Sequence, residues 1–157
     1  MNNGSLYKVV VCAYVMLSLS VEAQLKPVPV QDITDSVQIN GKPVVVLIST
    51  ADCGYCYMQQ KQLQNSPDIL QLMTKFNYAT LDAGTKENIL FNKQRYRYKA
   101  QEHVHELAEY LGRDEKGRLS YPCWIVLNNK YDIIFRYQGL LAPSELNKIL
   151  EKSVEIN

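Results

Sequence analysis

The chain has 157 residues, 46% of them hydrophobic, enough for one domain of ordinary size with a core of its own and with no sign of a disordered tail. Its 17 basic and 16 acidic side chains leave a formal net charge of +1, so charge offers no general hold on nucleic acid or on an anionic membrane. Specificity has to come from a local site.

Residues 1–23 read as a signal peptide. Lys8 supplies the positive n-region, residues 9–21 the apolar h-region, and Val21-Glu22-Ala23 a small-residue cleavage site before Gln24. The apolar run is too short to cross a hydrocarbon core of about 30 Å as a helix. No stable membrane insertion is therefore expected after cleavage, and the mature chain is expected in the periplasm or secreted. Cys12 would be lost with the signal, leaving Cys53, Cys56 and Cys123. An odd number of cysteines in an exported protein argues for one pair plus a special or buried thiol rather than a disulfide framework.

Residues 24–42 form an N-terminal segment, first Pro- and Val-containing and then polar, that suits an edge strand and a short helical turn. Residues 43–157 read as one domain. After the turn Gly41-Lys42-Pro43 comes Val44-Val45-Val46-Leu47-Ile48, β-branched and without alternation, the pattern of a central parallel strand covered on both faces. Ser49-Thr50-Ala51-Asp52 is a loop, and residues 54–64 carry good helix formers without a breaker. Ser66 can cap a second helix with Pro67 at its first position, where Ile69, Leu72, Met73 and Phe76 make one apolar stripe. Residues 78–82 read as the next strand, parallel to the first through a right-handed crossover.

Residues 85–99 are polar and Tyr/Arg-rich. Val104, Leu107, Ala108 and Leu111 then repeat at helical spacing, with Gly112 as the C-terminal stop and residues 113–120 as a charged loop. Residues 123–127 and 131–137 predict an antiparallel hairpin about the turn Asn128-Asn129-Lys130. A last helix starts near Pro143 and shows Leu146, Ile149 and Leu150 on one face.

The chemistry concentrates in Cys53-Gly54-Tyr55-Cys56. Cysteines at this spacing are an inert disulfide, half of a zinc site, or a redox pair. A cysteine just before a helix N-terminus meets unpaired N–H groups and the positive end of the helix dipole, both of which favour the reactive thiolate. Zinc needs about four ligands, and the remaining candidates are Cys123, His103 and His105. Two histidines two residues apart on a predicted helix point to different faces, so no metal site is expected. Cys123 and Trp124 read as core, and Arg95-Tyr96-Arg97-Tyr98-Lys99 as a solvated face.

The order strand, Cys-x-x-Cys helix, strand, helix, X-Pro, hairpin, helix resembles a thioredoxin-fold protein. Within that superfamily, Cys53-Gly54-Tyr55-Cys56, Asn65-Ser66-Pro67-Asp68-Ile69 and Phe76-Asn77-Tyr78-Ala79-Thr80-Leu81-Asp82 resemble the group that includes the C-terminal domain of the periplasmic thiol:disulfide interchange reductase. The resemblance implies an α/β thioredoxin fold: a central mixed sheet of four to five strands flanked by helices, with an enlarged helical segment before a cis-proline. It implies an exported thiol–disulfide oxidoreductase, more reductase than oxidase, in which Cys53 attacks and Cys56 resolves, with Gly54 and Tyr55 supporting them. Tyr121 and Pro122 would form the cis X-Pro substrate edge facing the pair. The implied partners are protein thiol or disulfide substrates and an upstream redox protein, acting on a monomer without a cofactor.

Three positions depart from the family pattern: Leu47 stands where thioredoxins carry a buried carboxylate, Asp52 where tryptophan is usual, and Tyr57 where lysine is common. The Gly-Tyr dipeptide matches periplasmic disulfide isomerases, but residues 24–42 are too few for their dimerisation domain. The alternative reading is a redox-inert or metal-carrying binding module on the same fold.

Overall fold

A run of five apolar residues without alternation has no face to offer water, and in the computed structural model, which describes residues 26–33 and 40–156, it becomes the middle of the sheet. Residues 1–23, with Cys12, lie outside the described residues. Strand β2 (Val44–Ser49) pairs in parallel with β3 (Asn77–Asp82) and antiparallel with β8 (Cys123–Leu127). Val44 to Ile48 all have 0% exposure. The sheet has five strands in the order β1-β3-β2-β8-β9, with β1 (Val28–Pro29) parallel to β3 at one edge and β9 (Ile133–Gln138) antiparallel to β8 at the other.

Alternation along β2 divides the core in two. Val45 and Leu47, with Trp124 and Val126 of β8, face Leu63 of helix α1 (Gly54–Gln64), Ile69, Leu72 and Met73 of α2 (Pro67–Met73), and Leu146 and Leu150 of α4 (Pro143–Ile156). Val44, Val46 and Ile48 face Leu107 and Leu111 of α3 (Glu106–Gly112), together with Val30 and Ile33. Residues 26–33 contribute the edge strand β1 to the sheet and Val30 and Ile33 to this side of the core. Pro67 takes the first turn of α2 as its fixed φ allows. Ser66 occupies the cap position, but its hydroxyl donates to the Gln62 carbonyl at 2.7 Å and does not cap α2.

The segment before the proline contains the expected helix, α3, preceded by two small two-stranded sheets. β4 (Ile89–Phe91) and β5 (Gln94–Tyr96) form one two-stranded sheet, and β6 (Tyr98–Lys99) and β7 (Val104–His105) another. Asn92 and Lys93, both at positive φ, make the tight turn between β4 and β5. In the Tyr/Arg run the alternation is that of a strand: Arg95 and Arg97 are exposed, while Tyr96 is buried, 5.5 Å centroid to centroid from Tyr110. Val104 and His103, expected in the helix, lie outside α3, which begins after His105. The His105 ring caps it, Nδ1 accepting from Leu107 N–H at 3.1 Å, with Nε2 3.0 Å from the Glu87 carbonyl. Gly112 is the last helical residue and needs no unusual φ. Its lack of a side chain serves close packing, since a Cβ there would meet Leu119 Cδ1 at 2.5 Å and Ile48 Cδ1 at 3.2 Å.

Glu109 holds α3 to this added segment, receiving Lys99 at 2.7 Å and Arg113 on its other oxygen. Burial pushes its carboxyl up, but the hydrogen bonds from Lys99 and Arg113 outweigh this and hold it below the ordinary carboxylate value. A depressed folded-state pKa gives stability that is present above the unfolded value and lost as pH falls through the folded one. Glu109→Gln should therefore lose less stability than the wild type between neutral pH and about pH 3, read as the shift in urea midpoint at each pH.

Candidate active site

β2 ends at Ser49, and after a loop of three residues the chain turns into α1 at Cys53, which occupies the helix N-cap with extended backbone. Its sulfur accepts the Cys56 N–H at 3.1 Å, so one of the orphan donors of the helix start points at Cys53 Sγ. Cys53 and Cys56 are disulfide-bonded, with Cα atoms 5.2 Å apart. Cys53 is half-buried and Cys56 only 3% exposed, an asymmetry that leaves Cys53 as the sulfur a partner can reach. Gly54 and Tyr55 are exposed between them, and a Cβ at Gly54 would touch nothing within 4 Å.

The β2–β8 register sets Ile48 opposite Cys123, so the residues just before Cys123 lie at the end of the sheet where β2 gives way to the cysteine loop. These are Tyr121 and Pro122, joined by a cis peptide bond. Pro122 is buried and has no N–H, and its carbonyl accepts Gly139 N–H at 2.7 Å. Tyr121 is half-buried, and burial raises its phenol above the usual value, so it is a neutral donor at physiological pH. The two predicted site pairs thus share one end of the sheet.

Cys123 and Trp124 are core residues, both at 0% exposure. The Cys123 thiol lies 3.8 Å from the Gly112 carbonyl, and burial pushes it up to about 12. Leu47 is fully buried opposite Trp124. Among the described residues the one carboxylate classed as buried is Glu109, on the α3 side and engaged by Lys99 and Arg113. Among the described residues no three His, Cys, Asp or Glu side chains are grouped to hold a metal ion. No helix among them is long and apolar enough to cross a membrane.

Sequence reasoning missed Gln59. It is 1% exposed on the face of α1 that also carries Cys56 and Leu63, and its amide bonds Trp124 and Leu141. Its one signal in the sequence was position, since residues 56, 59 and 63 share a helical face that has to meet the sheet.

A cysteine pair opening a helix after the central parallel strand, with a cis X-Pro at the start of the neighbouring antiparallel strand, defines the thioredoxin fold. Residues 30–153 match the family model of the thioredoxin-like domain, and the chain belongs to that family. Its structure is similar to a thioredoxin-fold protein from Helicobacter pylori, at 16% identity over 74% of this chain and 71% of that one, with a TM-score of 0.60. A thioredoxin from Thermus thermophilus aligns at 20% identity over 82% and 85%, TM-score 0.60. The reduced C-terminal domain of DsbD from Neisseria meningitidis aligns at 14% over 77% and 90%, TM-score 0.53. No curated protein matches the chain in sequence.

The contrast between the thiols is directly measurable. A thiol with a pKa near 12 is almost wholly protonated at pH 8 and cannot act as a nucleophile there. After mild reduction, iodoacetamide should label Cys53 in the native protein and Cys123 only after unfolding, as mapped by peptide mass spectrometry.

Proposed function

We propose that the protein is an exported thiol–disulfide oxidoreductase that reduces disulfides in protein substrates. The observation that carries this reading is the Cys53–Cys56 pair at the start of α1, with the reachable sulfur capping the helix and the resolving sulfur buried behind it. In the reduced protein the Cys53 thiolate attacks one sulfur of a substrate disulfide, and the other substrate sulfur leaves and takes a proton. Cys56, deprotonated, then attacks Cys53 Sγ and displaces the second substrate sulfur. The substrate gains two electrons and two protons, and the Cys53–Cys56 disulfide forms. An upstream dithiol protein must restore the pair by the same exchange.

Tyr121 and Pro122 are the proposed substrate edge. The β8 ladder starts only at Cys123, and an extended segment can add main-chain hydrogen bonds beside the proline. Tyr55, Tyr57 and Met58, exposed at 63%, 61% and 49%, give a protein substrate apolar surface next to the pair. With Leu47 in place of a carboxylate, the Cys56 proton leaves to water or to the departing substrate thiolate. Export to the periplasm or beyond rests on the pattern of residues 1–23.

The wild type should accelerate dithiothreitol-driven reduction of insulin, and Cys53→Ser should return the rate to that of dithiothreitol alone. Undiminished activity in Cys53→Ser would overturn the proposal. Cys56→Ser should accumulate mixed disulfides with substrate on non-reducing gels, since Cys53 attack proceeds and its resolution does not.

A further inference from the structure

The Gln59 amide uses its full hydrogen-bonding capacity inside the protein. Oε1 accepts from Leu141 N–H at 2.8 Å and from the Trp124 indole N–H at 3.3 Å, while Nε2 donates to the Leu141 carbonyl at 3.1 Å and to Gln62 Oε1 at 3.2 Å. The orientation of the amide is fixed, because turning it over would set N–H against two obligate donors and an oxygen against the Leu141 carbonyl. A buried amide saturated in this way rigidifies what it joins, and breaking it leaves unpaired polar groups in the core.

What it joins is specific. Gln59 follows Cys56 by three residues, on the same buried face of α1. Leu141 lies two residues after Gly139, whose N–H holds the Pro122 carbonyl, and Gly139 has a φ of +122° that favours glycine. The strap 139–141 is therefore bonded at one end to the proline and at the other to the helix carrying the cysteines. Trp124, two residues beyond Pro122, is bonded to the same amide.

Resting on the oxidoreductase reading above, we propose that Gln59 is a positioning residue that sets the gap between the Cys53–Cys56 pair and the Pro122 edge for an extended protein substrate. A small disulfide needs only access to Cys53. A protein substrate has to meet Cys53 and the Pro122 edge together, and misplacing one against the other penalises it alone.

Gln59→Met keeps the length and most of the volume of the side chain but none of the bonds to Leu141. It should lower kcat/KM for insulin about tenfold and that for oxidised glutathione less than about twofold. Gln59→Glu, which keeps an oxygen acceptor for Leu141 and Trp124, should recover part of the insulin rate. Equal losses for the two disulfides, or no loss for either, would overturn the positioning role while leaving the oxidoreductase reading in place. A wild type inactive on both removes that reading and the proposal with it. If Gln59→Met does not fold, amide exchange in the wild type decides: Gly139 and Leu141 exchanging together, as slowly as the β2 amides, supports the clamp, and a fast, independent Leu141 excludes it.

Discussion

The structure depends on the burial of β2 from both sides. Five consecutive side chains at zero exposure require two layers of helices or loops, and both layers take their register from this strand. Fully burying an aliphatic side chain is worth about 1.5–3 kcal/mol, so this strand, with its equally buried neighbour β8, holds the two layers together. The strand also carries the chain to the cysteine loop. The position of Cys53 is thus a consequence of a strand buried on both faces, which is how a reactive group on a loop can be held in a constant place.

Much of this arrangement was legible in the sequence because the relevant signals are local and strong. Val44 to Ile48 could be little else than a covered strand, and helix α1 has the bounds that its uninterrupted run of helix formers implied. The hairpin of β8 and β9 followed from an apolar run and a polar turn. The region between residues 85 and 105 was not legible, for a physical reason: strands of two or three residues are too short to show a period, and their stability comes from packing on α3 and not from their own propensity. His105 illustrates the same limit. A histidine in a helical pattern reads as helical, whereas its ring is used as a cap, and only the fold reveals that Leu107 N–H needs one.

The site was legible as chemistry more than as geometry. The cysteine spacing and the Tyr121-Pro122 pair are visible in any reading of the chain, but Gln59 looks like one of several glutamines on a polar helix until its face is known. Leu47 shows the opposite case. Its departure from the family pattern is plain in the sequence, and the structure adds that the surrounding layer of Val45, Trp124 and Val126 is apolar, so a charge there would have no partner. Among the described residues the Gln59 amide is buried on that side of the sheet, where it organises neighbouring groups without exchanging a proton.

Trp124 is the only tryptophan in the chain, and its indole N–H ends on that amide. An indole is an optical probe whose emission follows the polarity and hydrogen bonding around its ring. This one sits fully buried between the strand that begins after Pro122 and the helix that begins at Cys53. The domain therefore contains a single-site chromophore at the junction of its two functional elements, and its fluorescence reports on that junction without an attached label.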